Sequence, residues 1–170
     1  MSKVSLIMSQ IKSQIMGLPP LSLLVADSQL YAKKSLGQNF LFDLNLTGKI
    51  AAQTLVQNGT IIEVGPGPGG LTRSLLTHTD ATIIAVEKDR RAISFLDHLV
   101  AAAGGRLTLE EADALQAPLW TYGEAPRAIV ANLPYNIATT LLLNWLDHAT
   151  DFTSFVLMFQ KEVALRICAA

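Results

Sequence analysis

Thr60-Ile61-Ile62-Glu63-Val64-Gly65-Pro66-Gly67-Pro68-Gly69-Gly70 decides the fold. Its first five residues are β-branched or apolar apart from Glu63, which reads as a short buried strand. The run then enters a turn that satisfies G-x-G-x-x-G, whose small residues let the backbone approach a ligand closely at the start of a helix. A helical pattern resumes from Leu71 to Leu76. Strand, glycine turn and helix in this order open an α/β unit, although a lone match of this kind is a weak signal.

The surrounding chain repeats the unit. Ile50, Ala51, Leu55 and Val56 recur at helical spacing before the turn. After it come a second strand over Ala81 to Val86 and a helix over Arg90 to Ala103, closed by Gly104-Gly105. Third and fourth strands are expected over Arg106 to Leu109 and Arg127 to Val130. A helix follows over Ile137 to Leu146, a fifth strand over Phe152 to Phe159, and a further helix over Glu162 to Ala169. Alternation at this spacing predicts an α/β fold with a mainly parallel sheet and helices on both faces.

Composition bounds the rest. With 170 residues, half of them apolar, the chain can bury one sizeable core. One cysteine, Cys168, excludes an intramolecular disulfide and a cysteine-clustered metal site, as expected of a cytoplasmic protein. The apolar patches between Val4 and Ala26 are broken by Lys12 and Pro19-Pro20, too short for a membrane span and unlike a signal peptide. The formal net charge of −1 argues against a general nucleic-acid binder. Its distribution is uneven, because residues 1–40 carry Lys3, Lys12, Lys33 and Lys34 against Asp27 alone. If the chain meets a nucleic acid, this arm is where phosphate contacts are expected, with Lys33 and Lys34 as candidates.

The ends of successive predicted strands carry polar groups. Glu87 closes Ile83-Ile84-Ala85-Val86 and can accept both hydroxyl protons of a ribose. Asp113 follows the third strand, where a carboxylate could accept from an adenine amino group. Together with the glycine turn they indicate an adenosine-type ligand, either a dinucleotide or S-adenosylmethionine. Pro66 and Pro68 lack N–H groups that could donate to phosphate, which disfavours the dinucleotide. At the end of the fourth strand stands Asn132-Leu133-Pro134-Tyr135. Asn132 offers an amide oxygen, Pro134 stiffens the turn that presents the Leu133 carbonyl, and Tyr135 offers a stacking face, a set suited to an exocyclic amine on a flat ring. An ordinary strand-to-helix turn is the competing reading. His78, His98 and His148 are expected at the surface without partner carboxylates, Trp120 and Trp145 in packing roles, and no metal is expected.

Several segments in order resemble the ribosomal RNA adenine dimethyltransferases, most closely the bacterial small-subunit type. They are Leu36-Gly37-Gln38-Asn39-Phe40-Leu41 with Asp43, Glu63-Val64-Gly65-Pro66-Gly67, Val86-Glu87, Asp113-Ala114-Leu115, Asn132-Leu133-Pro134-Tyr135-Asn136-Ile137 and Gln160-Lys161-Glu162-Val163. The resemblance implies a Rossmann-like S-adenosylmethionine-dependent methyltransferase. Asn39 and Leu41 would close over the cofactor, Gly65 and Gly67 lie against it, Glu87 bind its ribose and Asp113 its adenine. Asn132 would meet both the donor's methyl region and the target amine, with Leu133, Pro134 and Tyr135 completing the catalytic turn. The implied reaction places two methyl groups on N6 of each of two adjacent adenosines near the 3′ end of small-subunit rRNA. The implied partner is that rRNA within a pre-ribosomal particle, and the protein is expected to be a cytoplasmic monomer needing no metal.

Two positions depart from the family's usual pattern: Thr140 stands where Pro is common, and Leu157 where an aromatic often walls the target-base pocket. The family usually continues into a smaller helical domain that grips RNA, which is expected to be missing from this chain. Residues 1–30 read as an N-terminal extension and 31–170 as the catalytic domain. Alternatives are a large-subunit rRNA dimethyltransferase of the macrolide-resistance type, an adenine-specific DNA methyltransferase, or a non-catalytic ribosome-assembly protein of the same fold.

Overall fold

The computed structural model describes residues 3–26, 28 and 40–169. Lys33, Lys34 and Asn39 lie outside the described residues. Five strands, β1 (Thr60–Val64), β2 (Thr82–Glu87), β3 (Leu107–Glu111), β4 (Arg127–Asn132) and β5 (Ser154–Met158), form one sheet in the order β3-β2-β1-β4-β5, every neighbouring pair parallel. From central β1 the chain steps outward through β2 to β3, then crosses back to β4 and β5. That reversal brings the carboxyl ends of β1 and β4 side by side, with Val64 level with Ala131. A crevice opens at such a switch point, and ligands of open α/β sheets bind there.

Side-chain alternation splits the core into two layers. Ile61, Ile83, Ala85, Ala128 and Val130 face one cluster, which helices α3 (Leu44–Ala51), α4 (Gly70–His78) and α5 (Arg90–Ala102) cover. Ile62, Val64, Val86, Ile129 and Ala131 face the other, capped by Leu141 and Trp145 of α6 (Ala138–Leu146) and by Leu119. Strand β1 is therefore buried along its whole length, as a central parallel strand must be. Beyond β5 the described chain continues as α7 (Lys161–Cys168).

Several elements differ from their expected extent. The helix before the glycine turn is α3, which ends at Ala51 and leaves Leu55 and Val56 outside it, while β4 runs on to Asn132 and β5 is shorter at both ends than Phe152–Phe159. Strand β3 runs two residues further, to Glu111, and pairs Glu110 and Glu111 with Val86 and Glu87. It is an edge strand, so polar residues there cost little and apolar patterning under-reads it. The N-terminal stretch, which carries no motif, contains two helices, α1 (Lys3–Met16) and α2 (Leu21–Ala26). Ile11, Ile15 and Leu21 are buried, worth roughly 1.5–3 kcal/mol each when fully withdrawn from water. Lys12 Nζ lies 2.9 Å from Asp80, and the Arg73 guanidinium donates to the Pro19 carbonyl at 2.8 Å.

Two of the three histidines also depart from expectation, while His78 is exposed. His148 stacks on Trp120 with ring centroids 3.5 Å apart and has a partner carboxylate, Asp151, at 3.6 Å. His98 is tied to Arg73 and to the Phe95 carbonyl. Both are in contact with residues distant in sequence, His148 with Trp120 and His98 with Arg73, a proximity that sequence spacing does not show. Trp145 is a packing residue as expected, 1% exposed, whereas Cys168 is exposed. Among the described residues no group of His, Cys, Asp and Glu is arranged to hold a metal, and no helix is long and apolar enough to cross a membrane.

Candidate functional site

The crevice between β1 and β4 is lined by Phe40, Leu41, Glu63, Gly65, Gly67, Glu87, Asn132 and Pro134, among others. Its floor is the glycine turn. Gly65, Gly67 and Gly69 adopt φ of +70°, +53° and +89°, the left-handed region that side chains with a Cβ avoid. A Cβ on Gly65 would meet no atom within 4 Å, so the turn leaves open space above it. One on Gly70 would sit 2.1 Å from the Leu41 carbonyl oxygen, and this close approach seats the Phe40–Leu41 segment as a wall of the crevice.

The turn's own donors decide between the two adenosine-type ligands. Gly65 N–H donates to the Val86 carbonyl at 2.9 Å, Gly69 N–H to Pro66 at 2.9 Å, and Gly67 N–H to Glu87 Oε2 at 3.4 Å. Pro66 and Pro68 have no N–H. With these five positions committed or donorless and two carboxyl groups in the lining, the turn disfavours a pyrophosphate, leaving only the N–H groups at the start of α4 to receive one. It fits a ligand whose corresponding part is neutral or cationic.

Glu87 ends β2 and is 8% exposed. Its Oε1 accepts from the backbone N–H of Lys88 at 2.8 Å and Asp89 at 2.9 Å, which fixes the carboxyl and leaves Oε2 only the long contact to Gly67. Burial pushes its pKa up, while those three N–H groups favour the anion. Asp113 lies beyond the crevice lining: Lys88 Nζ engages Oδ2 at 2.7 Å and Leu115 N–H engages Oδ1 at 3.0 Å. Lys88 in particular holds its pKa below the ordinary value of 3.8.

Asn132 is the last residue of β4 and lines the crevice with Pro134. Leu133 is 2% exposed with its side chain in the core, and Tyr135, next to Pro134 but outside the crevice lining, is 46% exposed. Phe155, Leu157 and Phe159 all pack against the same core layer, so strand alternation holds and the three share one face. Of the residues singled out from sequence, Leu41, Gly65, Gly67, Glu87, Asn132 and Pro134 line the crevice, whereas Asp113, Leu133 and Tyr135 are not in its lining. Sequence reasoning missed Phe40 and Glu63 as lining residues and Lys88 as the partner of Asp113. The acid preceding the glycine turn was itself the available signal for Glu63.

A parallel sheet with a glycine turn after β1, an acid closing β2 and an Asn closing β4 at the switch point defines a Rossmann-like methyltransferase domain. Solved structures agree with that class. A dimethyladenosine transferase from Plasmodium falciparum superposes with a TM-score of 0.66 at 30% identity, covering 78% of this chain and 47% of that one. The 23S rRNA methyltransferase ErmE gives 0.62 at 28% identity, covering 74% and 50%. Residues 29–170 match the family model described as ribosomal RNA adenine dimethylase, and the chain belongs to that family. Curated relatives include the ribosomal RNA small subunit methyltransferase A of Rhodospirillum rubrum, 55% identical over 154 residues. The protein of the same name from Paramagnetospirillum magneticum is 54% identical over 153. These alignments cover 90% and 89% of this chain and 54% of each relative, so the chain spans about half the length of the curated relatives it matches.

Proposed function

We propose that this domain binds S-adenosylmethionine and carries out the N6,N6-dimethylation of two adjacent adenosines near the 3′ end of small-subunit rRNA, within a pre-ribosomal particle in the cytoplasm. The observation that carries the reading is the placement of Asn132 beside the Gly65 turn, in one crevice with Glu87. When bound, the cofactor supplies a methyl group on a sulfonium that is already a good leaving group. The chain's residues therefore have to bind, orient and exclude water, so positioning and electrostatics dominate.

Glu87 Oε2 accepts from the ribose, and Asp113 accepts from the adenine amino group once Lys88 shares or yields Oδ2. Gly65 and Gly67 lie against the cofactor, with Leu41 and Asn39 closing over it. Adenine N6 is a poor nucleophile because its lone pair is delocalised into the ring. The Asn132 amide oxygen and the Leu133 carbonyl accept its two protons, and Pro134 stiffens the turn that presents them. The nitrogen is thereby drawn toward a pyramidal shape with its lone pair aimed at the methyl carbon. The target base must leave its stack to reach this turn, and the exposed Tyr135 ring receives it, worth roughly 1–3 kcal/mol. Each transfer costs N6 one proton, which passes to solvent, so after the first only one remains and the second proceeds with one of the two acceptors.

The protein acts as a monomer, residues 31–170 forming the catalytic domain, with Lys33 and Lys34 on rRNA phosphates. The test is radiolabelled methyl incorporation into immature small subunits by Asn132→Ala. The expected outcome is a loss of at least ~100-fold in methyl transfer, with cofactor affinity weakened far less, of the order found when one donor or acceptor to a reacting centre is removed. Activity near that of the unaltered protein would refute the role.

A further inference from the structure

Glu63 has no part in the reaction as described. It lines the crevice from β1, just before the glycine turn, and is 1% exposed, and among the described residues neither carboxyl oxygen has a hydrogen-bond partner. The groups acting on it come from two elements. The Thr72 hydroxyl and amide of α4 favour the anion through proximity without reaching hydrogen-bond geometry, and Glu87 of β2 opposes it with its own negative charge. Among the described residues no cation acts on it. Burial dominates and pushes its pKa from 4.5 to about 8. A buried carboxylate without a counter-ion is costly, so at neutral pH the group keeps its proton.

The ligand proposed for the crevice changes that balance. S-adenosylmethionine carries a sulfonium and an α-ammonium against one carboxylate, and its arrival displaces water, so charges acting across the crevice floor are screened less. We propose that Glu63 is a counter-ion held in reserve, a neutral acid in the cofactor-free protein that gives up its proton to solvent when the cationic cofactor binds. The balance is simple: the carboxylic O–H bond breaks, the electron pair stays on Glu63, and the proton goes to buffer. Glu63 is a positioning residue in this scheme, acting through charge beneath the Gly65 turn without touching the reacting atoms.

The inference rests on the cofactor reading above, and its test separates the two. Calorimetric titration of this chain with S-adenosylmethionine at pH 7, in buffers of low and high ionisation enthalpy, counts protons released. The expected result is between about one half and one proton per cofactor, with affinity strengthening by up to ~10-fold per pH unit from 6 to 8. Glu63→Gln resembles the neutral acid in size and keeps the fold, and it is expected to bind with no proton release and a flat pH profile. Equal binding enthalpies in the two buffers, or unchanged proton release by Glu63→Gln, would overturn the inference while leaving the cofactor assignment intact. A folded sample that binds no S-adenosylmethionine would overturn both.

Discussion

Gly65 and Gly70 bound one turn and serve different ends. At Gly65 a methyl group has room but points into the crevice from a backbone at φ +70°. Gly65→Ala is expected to cost about 1–2 kcal/mol of stability through left-handed strain. Its larger effect should be on cofactor affinity, weakened roughly tenfold or more because the methyl occupies ligand space. At Gly70 the methyl meets backbone, the Leu41 carbonyl oxygen at 2.1 Å. Gly70→Ala should therefore push the Phe40–Leu41 wall away, lowering affinity and costing roughly 1–3 kcal/mol as overpacking does. Thermal melts paired with calorimetry check the contrast. Equal affinity in Gly70→Ala and the unaltered protein would show that this wall does not contribute to binding. The glycines were legible because their pattern follows from backbone need. The partnerships of Glu63 with Glu87 and of Lys88 with Asp113 join residues 24 and 25 apart, and no local spacing rule brings them together.

At the scale of elements, one side chain ties α4, β2 and β3 together. Arg106, just before β3, is 6% exposed. It donates to the carbonyls of Leu76 at 2.9 Å, Thr79 at 2.8 Å and Ala81 at 2.9 Å, gathering the end of α4 and the entry to β2. Burial lowers its pKa, but it remains a cation satisfied by carbonyl dipoles. Arg106→Met keeps much of the volume and strands those acceptors, so a loss of ~3 kcal/mol is expected, read as a lower denaturant midpoint with unchanged slope. A midpoint within error of the unaltered protein would mean that water substitutes for the guanidinium. Strands β1, β2 and β4 were legible because central parallel strands must be apolar on both faces, and edge strand β3 was legible only in its apolar half. The packing of α1 was not legible. Its buried Ile11 and Ile15 lie on a helix whose other residues are largely exposed, and no turn or strand signal announces where it docks.

For the whole molecule, Glu63 makes folding stability depend on pH in a direction opposite to the usual carboxylate. Its folded pKa of about 8 exceeds the ordinary 4.5, so between these values the folded chain holds a proton that the unfolded chain has lost. Stability from this group is fully present below about 4.5 and declines as pH rises through about 8, by at most ~1.4 kcal/mol per pH unit. Glu87, also raised by burial, adds in the same direction. Asp113, held low by Lys88, stabilises at higher pH and loses its contribution only as pH falls below 3.8, outside this window. Melting temperatures are therefore expected to fall from pH 6 to pH 9. In Glu63→Gln the fall should be shallower, leaving the variant more stable than the unaltered protein at pH 9. Parallel curves for the two would show that the acid titrates normally. Saturating S-adenosylmethionine should flatten the unaltered protein's curve as well, because a cofactor that compensates the carboxylate stabilises the fold most where that carboxylate is charged. The same buried acid that weakens the cofactor-free fold at alkaline pH then strengthens cofactor binding there, and one set of melts with and without cofactor measures both effects.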